Sequence, residues 1–429
     1  MRNLEVVVVG AGIGGLQTAL ALAAEGHNVT VLESAKSFEE VGAGIRVPPN
    51  SSRFACRWGV DYSKVKKEVS LGNRFIDWKG KILLDCDFTN VESTYGAPYY
   101  FIHRADLVKL LVGTVQENER TTIRTGCRVA SYDYDAPSVT LSTGEVIKAD
   151  LVVCADGIKS ATLGTSHIAF LSLPSCYLRT PTMAHLVNNP WAVHWMGPEG
   201  HAVGYPLREG ELYNIIIDVT HSSDLGEPLP DEGQVWKSAR SNAELVERFR
   251  DWCPEVKRLC AMTGDYLKWK LADFDQLDRW VHPSGKVCLL GDACHPMMPY
   301  MAQGAAQATE DAATLASALK EHDGIAEALH AYERQRKPRT TYVARNTRVL
   351  QEHFHLYDGP AKEESDRTMQ LDDSSNPMFW GCSERKDWLF GHDASELRAD
   401  GSIPALPPMP PDEARVYKEV EGNVKGSKL

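Results

Sequence analysis

Three glycines near the N-terminus have the spacing of a phosphate-binding turn. Gly10, Gly12 and Gly15 follow the valine run at residues 6–9 in a Gly-x-Gly-x-x-Gly pattern. In such a turn the first glycine permits a tight bend, the second lets the backbone approach a pyrophosphate, and the third lets a helix pack close to the strand. Glu33, 18 residues after Gly15, is placed to accept hydrogen bonds from ribose hydroxyls. The set predicts a dinucleotide site, although glycines alone would also suit an ordinary turn of an α/β fold.

The elements that would position these glycines follow from the neighbouring sequence. The four valines are typical of a strand buried on both faces of a parallel sheet. Leu16, Ala19 and Leu20 form an apolar stripe at helical spacing, and Gly26 is expected just beyond the end of that helix. The free N–H groups at the start of the helix suit an anionic phosphate.

Length and composition limit the classes of function. The 429 residues suffice for two or three domains, and the net charge of −12 argues against nucleic acid or an anionic membrane surface as the main partner. No apolar run approaches the ~20 residues of a membrane span. The ten cysteines include no Cys-x-x-Cys pair, so we expect reduced thiols, no disulfide framework and no metal site. His353 and His355 are expected to decorate the final helix rather than to bind metal.

Two further buried-strand patterns indicate that the cofactor domain is discontinuous. One strand ends at Asp156, and another ends at Asp292 and leads into a long helix. The intervening tryptophan-containing stretch indicates a separate, sheet-containing domain with a pocket. We therefore predict an α/β fold that consists of a Rossmann-like cofactor domain (residues 1–164 and 266–355), an inserted substrate domain (residues 165–265), and a C-terminal helix and tail (residues 356–429).

Several separated stretches together resemble one enzyme family. They are the glycine turn with Glu33, Gly42-Ala43-Gly44-Ile45 with Pro49-Asn50, His103-Arg104, Asp156-Gly157, residues 195–206, residues 291–296, Gln303-Gly304-Ala305 and Glu310-Asp311. In these features the chain is similar to the single-component FAD-dependent aromatic hydroxylases, and most of all to the fungal salicylate-hydroxylase-like branch. The resemblance covers roughly residues 1–400. It implies a para-hydroxybenzoate-hydroxylase-like fold, bound FAD, and NADH or NADPH as a co-substrate that visits without a domain of its own.

The resemblance also implies roles around the cofactor. Asp292 would accept hydrogen bonds from ribityl hydroxyls, and Arg104 would supply positive charge. Gly304 and Ala305 would open a helix whose N–H groups face flavin N1 and O2 and stabilise negative charge on the reduced ring. Pro299 would shape the wall where oxygen reacts.

Gly44, Arg46 and Asp156 complete the expected cofactor-binding set. Arg46 stands where the family often has glutamine. Its side chain could reach the substrate or form an ion pair at the cofactor edge, and the sequence leaves both possibilities open.

The implied reaction is hydroxylation of a phenolic or other electron-rich aromatic small molecule. Reduced flavin adds O2 at C4a, and the distal oxygen of the hydroperoxide attacks the ring. Because a phenol has a pKa of about 10, a base or a cation that favours phenolate would speed the attack. Tyr205 is the first candidate for gripping or deprotonating the substrate, or else for an inter-domain hydrogen bond. His201, on the same strand face, is the alternative proton acceptor.

Arg179 is the third candidate catalytic residue. The family has a longer segment that ends in Ala-Tyr-Arg, whose arginine faces the substrate, and the nearest equivalent here is Cys176-Tyr177-Leu178-Arg179. Arg179 would hold a phenolate or a carboxylate. A shifted register, or an altered stretch at residues 161–178, would instead leave the pocket rebuilt or the enzyme impaired. Two other functions stay open: a flavin oxidase or dehydrogenase that inserts no oxygen, and a GDI-like binding protein without catalysis.

The last three residues match a targeting signal. Ser427-Lys428-Leu429 matches the tripeptide that the peroxisomal import receptor reads. We therefore expect a peroxisomal location, with the cytosol as the alternative.

Overall fold

The structure is a computed structural model that describes residues 3–38, 43–157, 163–219, 227–228, 238–264, 266–398, 402 and 405–410. The helices are α1 Ile13–Ala24, α2 Pro49–Arg57, α3 Val91–Tyr95, α4 Arg104–Glu117, α5 Ala184–Asn188, α6 Ala243–Arg248, α7 Pro254–Met262, α8 Gly304–Glu321, α9 Ile325–Phe354, α10 Pro360–Thr368 and α11 Ser383–Phe390. Among the described helices, none is long and apolar enough to cross a membrane.

The described residues also contain twenty strands. They are β1 Glu5–Val9, β2 Asn28–Leu32, β3 Gly44–Val47, β4 Lys67–Val69, β5 Gly72–Asp77, β6 Ile82–Asp87, β7 Tyr100–His103, β8 Thr121–Arg124, β9 Val129–Asp133, β10 Ser138–Leu141, β11 Val146–Lys148, β12 Leu151–Cys154, β13 Leu163–Pro174, β14 Trp191–Gly197, β15 Gly200–Leu207, β16 Leu212–Val219, β17 Glu227–Pro228, β18 Ser238–Arg240, β19 Tyr266–Asp273 and β20 Val287–Leu289.

The valine strand β1 lies at the centre of a five-stranded parallel sheet. The spatial order is β20-β12-β1-β2-β8, and every neighbouring pair is parallel. The valines of β1 are buried, as their unbroken apolar run predicts. Because β20 joins β12 only after the chain has built a second sheet, the Rossmann-like core is discontinuous in sequence.

A nine-stranded mixed sheet forms the second layer. Its main path is β18-β19-β13-β16-β15-β14-β5-β6, with β17 paired to β13. The hairpin β5–β6 comes from residues 72–87, which the sequence analysis gave to the cofactor domain. Strand β19 also belongs to this sheet, although it lies within residues 266–355, which were given to the cofactor domain as well. The hairpin is joined through the parallel pairing of β5 with β14. No local pattern encodes this pairing, because the two strands are more than a hundred residues apart in sequence.

The central strands of this sheet bury one apolar face and one polar face. The apolar face carries Val193, Trp195, Ala202, Ile215 and Ile217, which pack with residues of α5, α6 and α7. The opposite face carries buried apolar side chains such as Met196 and Val203, and between them the buried polar side chains of Asn73, His194, His201, Tyr205, Asn214 and Asp218. Successive residues of a strand point to opposite faces. The strands therefore separate a hydrophobic core from a second buried face, which carries these polar side chains and is turned toward the cofactor domain.

The C-terminal segment packs into the core beside this polar face. Phe379, Trp380 and Phe390 are buried in the same cluster as Tyr205. The C-terminal segment therefore contributes buried side chains to the core over its described part.

The expectation that His353 and His355 decorate the helix surface is wrong, because α10 and the larger sheet cover the end of α9. His353 Nδ1 lies 3.1 Å from Ser365 Oγ, and His355 Nε2 lies 2.9 Å from His201 Nδ1.

Candidate active site

A cavity of about 620 Å³ opens where β1, β12 and β20 end. Polar groups and glycines from both halves of the cofactor domain line it. Eight of the predicted cofactor residues are among them: Gly10, Gly12, Glu33, Arg104, Asp156, Asp292, Gly304 and Ala305. Arg128 and Tyr132 line it as well. The sequence analysis did not single out these two because they lie at the start of β9 and within it, in a small separate sheet whose position depends on packing.

The glycine turn shows how the cavity wall is built. A β-carbon at Gly15 would lie 2.0 Å from the Gly10 carbonyl oxygen, so α1 approaches the turn only because no side chain is present. A β-carbon at Gly12, by contrast, would meet no atom within 4 Å, because it faces the open cavity. A ligand can therefore approach the backbone there, which fits the pyrophosphate of FAD.

Glu33 holds the edge of the turn. Its Oε2 accepts a hydrogen bond from the Ala11 N–H at 3.0 Å, and its Oε1 accepts one from the Ala35 N–H at 2.8 Å. The carboxylate is thereby fixed beside the glycine turn, where the ribose of a bound dinucleotide would lie.

Asp292 and Arg104 occupy the same cavity from different elements. Asp292 lies in the turn after β20, and Arg104 is the first residue of α4. Desolvation raises the pKa of Asp292, against the opposing effects of His295 and Arg104. Desolvation likewise lowers the pKa of Arg104, although Asp292 acts to raise it. The Asp292 side chain is nevertheless exposed to the cavity, so hydroxyl groups of a ligand can reach its carboxyl and donate to it. The N–H groups at the start of α8, which begins at Gly304, add donors for an anion.

A buried ion-pair network fixes the turn that carries Asp292. Asp311 accepts hydrogen bonds from the Gly291 N–H at 3.0 Å and from Arg336 Nε at 2.7 Å, and His295 Nε2 lies 2.5 Å from it. Arg336 also donates to Glu310 at 2.6 Å. Although burial acts to raise the pKa of Asp311, His295 and Arg336 lower it. The Glu310-Asp311 pair was visible in the sequence, but only the packing of α8 on α9 supplies Arg336.

Strand β3 separates this cavity from the polar face of the larger sheet. Ile45 lines the cavity, whereas Gly44 and Arg46 point to the opposite side. The Gly44 N–H donates to Asn214 Oδ1 at 2.7 Å, and Arg46 Nη1 donates to Asn73 Oδ1 at 3.0 Å. Gly44 and Arg46 therefore lie at the junction with the sheet rather than among the described residues that line the cofactor cavity.

Tyr205 is fully buried at this junction. Its ring centre lies 4.7 Å from that of Phe101 and 5.9 Å from the guanidinium carbon of Arg46. Burial raises the pKa of Tyr205, although the Arg46 cation opposes the shift. The phenol is therefore neutral at physiological pH and can donate a hydrogen bond.

His201 lies on the same face, with its Nδ1 engaged by His355. Burial lowers the pKa of His201, so its ring is neutral and its protonation is disfavoured. The Tyr300 hydroxyl donates to Asp218 beside it.

The predicted site residues Arg179 and Pro299 are also absent from the cavity lining. Arg179 follows the turn Ser175–Leu178 with an exposed side chain. Pro299 opens the turn Pro299–Met301, between the Asp292 turn and α8. The roles assigned to both residues stay predictions.

Comparisons with known proteins agree with this architecture. The chain matches the FAD binding domain family over residues 3–347. It is 34% identical to the FAD-dependent monooxygenase OpS4 of Beauveria bassiana, over 93% of this chain and 97% of the relative. It is 32% identical to the 3-amino-4-hydroxybenzoate 2-monooxygenase of Streptomyces cremeus, over 92% and 98%.

The fold recurs in a solved salicylate hydroxylase substrate complex. The two structures superpose with a TM-score of 0.76 at 23% identity, over 94% of this chain and 99% of the other. With a family match over most of its length and relatives of similar length, the chain belongs to the FAD-dependent monooxygenases of the aromatic hydroxylase family.

Proposed function

We propose that this enzyme uses NADH or NADPH and O2 to hydroxylate a phenolic or other electron-rich aromatic small molecule. The observation that carries the proposal is the junction at β3, where one strand borders both the cofactor cavity and a buried polar sheet face. A reactive flavin edge and an aromatic substrate would meet at such a junction. The relative from Streptomyces cremeus, whose name specifies an aromatic substrate, supports the substrate class.

The residues around the cavity would hold FAD by its ends. Gly12 and Glu33 would contact the ADP half, and Asp292 and Arg104 would contact the flavin half. Bound FAD supplies the redox chemistry by taking electrons from the nicotinamide and passing them to O2. The N–H groups at the start of α8 would stabilise negative charge on the reduced ring.

On the sheet side, Tyr205 and Arg46 would act on the substrate. The neutral Tyr205 phenol can donate a hydrogen bond to the substrate oxygen, and the nearby Arg46 cation favours the phenolate form of a bound phenol. Because the phenol of Tyr205 stays protonated, its role would be to bind the substrate by a hydrogen bond rather than to deprotonate it. His201 is the other candidate proton acceptor, although burial lowers its pKa and disfavours the protonated ring.

A screen of phenols tests the proposed reaction. Purified protein loaded with FAD is mixed with NADH or NADPH and each candidate, and cofactor oxidation, peroxide release and product mass are followed. Stimulated oxidation together with a product heavier by one oxygen is the expected result. Peroxide alone across the panel would indicate an oxidase, and a protein unable to take up FAD would indicate a non-catalytic role.

We also propose that the enzyme works in peroxisomes. The proposal depends only on Ser427-Lys428-Leu429, which lies outside the described residues. A fluorescent protein fused to the N-terminus should appear in peroxisomes, and removal of the tripeptide should make it cytosolic. An unchanged distribution after removal contradicts the proposal.

A further inference from the structure

The tip of the hairpin β15–β16 has a strained backbone. Arg208 and Glu209 follow each other with φ angles of 52° and 57°, in the left-handed region, and neither is glycine. Such a conformation is costly for a residue with a side chain, and it persists where the surrounding structure holds it in place. The contacts that hold this tip are therefore informative about its role.

Arg208 forms an ion pair with the start of α4. Its Nε donates to Asp106 Oδ2 at 2.7 Å, and its Nη2 donates to Asp106 Oδ1 at 2.8 Å. The two side chains are 28% and 19% exposed. Although burial acts to raise the pKa of Asp106, the hydrogen bonds from Arg208 lower it. A partly buried pair with two parallel hydrogen bonds fixes orientation as well as distance, unlike a flexible surface pair.

The other side of the tip is bound to β4. Burial raises the pKa of Glu68, and backbone hydrogen bonds from Gly210 and Glu209 act against the shift. Successive backbone N–H groups in a turn form a concave donor site for such a carboxylate. Lys66, just before β4, pairs with Glu211. The turn thus contacts β4 through its backbone and α4 through the Arg208 side chain.

The contacts of Arg208 lie on both sides of a residue of the cofactor cavity. Arg104, which lines the cavity, is the first residue of α4. Arg208 Nη2 lies 3.4 Å from Nδ1 of His103, the preceding residue, and also donates to Asp106, two residues after Arg104. Because residues 104–106 belong to one helical turn, a displacement of Asp106 moves Arg104 with it.

We propose that Arg208 is a positioning residue for FAD, which acts through Asp106 and His103 to hold Arg104 at the cofactor cavity. The larger sheet thereby contributes to the affinity for FAD, although Arg208 is not among the described residues that line the cavity. Loss of the pair releases the start of α4 and weakens the attraction of the Arg104 cation for the anionic cofactor. The inference concerns cofactor binding and does not depend on the proposed substrate class.

Dissociation of FAD from the holoenzyme tests this role. The flavin fluorescence that is released on dilution gives Kd, and no substrate is needed. Arg208→Gln should raise Kd by about 3- to 30-fold, within the range of interaction energies between residues in contact. Its circular dichroism spectrum should stay that of the wild type. Arg208→Lys keeps the charge but not the two-point geometry, so the rise in Kd should be smaller.

A double-mutant cycle distinguishes positioning from a merely structural role. In an Arg104→Gln background, Arg208→Gln should raise Kd by less than about twofold, because the cation that it positions is already gone. The same small effect is expected in an Asp106→Asn background, because the pair is already broken. An unchanged Kd in Arg208→Gln, or effects of Arg208→Gln and Arg104→Gln that multiply as independent changes do, overturns the proposal.

Arg74→Gln is the matched control. Arg74 forms the same two-point pair with Asp85, at 2.8 and 2.7 Å, but both residues belong to the hairpin β5–β6. Its Kd for FAD should equal that of the wild type. A rise as large as that of Arg208→Gln would show that the loss of any such pair weakens FAD binding, and would overturn the assignment.

Two further outcomes have defined meanings. If Arg208→Gln does not fold, Arg208→Lys and Asp106→Asn take its place, and an unchanged Kd in both overturns the proposal. If the cycle gives the expected result but no phenol is hydroxylated, the proposed reaction is refuted and the role of Arg208 stands.

Discussion

The Tyr205 side chain occupies the space that a side chain at Gly44 would need. A β-carbon built at Gly44 would lie 2.7 Å from Tyr205 Oη and 2.9 Å from Asn214 Cγ. Because Gly44 also donates its N–H to Asn214 at 2.7 Å, the backbone of β3 sets the position of both side chains. The larger sheet and the cofactor domain thus meet at a position where a side chain would displace Tyr205 and Asn214.

Gly44→Ala should impair substrate positioning while it spares FAD. The methyl group would displace Tyr205 and Asn214, whereas the cavity lies on the opposite side of β3. We expect normal flavin content and less hydroxylated product per NAD(P)H consumed. Gly113→Ala is the control, because a β-carbon at that position meets no atom within 4 Å. Equal coupling in the two variants would show that the contact is unimportant.

Asp292→Ala should lower flavin occupancy without unfolding the chain. The substitution removes the carboxylate that faces the cavity but leaves the Asp311–Arg336 network that fixes the turn. The ratio of flavin to protein absorbance, measured after dilution, should fall, while the circular dichroism spectrum stays that of the wild type. Full occupancy with normal activity would disprove the assigned role.

Tyr205→Phe should uncouple the reaction. Reduction by NAD(P)H and the reaction with oxygen do not need the Tyr205 hydroxyl. The variant would therefore consume NAD(P)H and release hydrogen peroxide without hydroxylating the substrate. Because burial keeps the phenol protonated, we expect a positioning loss below the 10²–10⁴-fold range, which is roughly that of a general base. The measurement is hydroxylated product per NAD(P)H consumed. Unchanged rate and coupling would make Tyr205 structural and direct attention to His201.

Buried neutral histidines should make the fold sensitive to acid. Burial lowers the pKa of His355 to about 3, with a smaller contribution from Arg248. Below the usual value of 6.5 the unfolded chain therefore binds a proton that the folded chain excludes. The free energy of unfolding should fall by about 1.4 kcal/mol per pH unit for this group as pH drops below about 6.5, and level off near pH 3.

Urea unfolding between about pH 7.5 and pH 5 measures this dependence. His194 and His201 act in the same direction, because burial lowers the pKa of each. His355→Gln should reduce the pH slope by the contribution of one proton. If the variant and the wild type have equal slopes, His355 does not titrate as its burial indicates.

The sequence by itself determined the cofactor half of this protein. A buried valine run, the glycine spacing and Glu33 are local signals, and each appears in the structure where it was expected, as β1, the turn and its edge. The discontinuity of the cofactor domain was also predictable from the sequence, because the buried strands β12 and β20 are each followed by a glycine-aspartate or aspartate-glycine pair. The start of α8 at Gly304 agrees with the helix that the Gln303-Gly304-Ala305 stretch was expected to open.

Only the tertiary structure decided which residues meet at the junction between the cofactor domain and the larger sheet. Arg46 faces Asn73 across the junction, and His355 reaches His201 from the end of a distant helix, while Arg179 stays exposed. These relationships depend on the pairing of β5 with β14 and on the packing of α9 and the C-terminal segment against the sheet. Such contacts join residues far apart in the chain, so neither spacing nor periodicity within one segment encodes them.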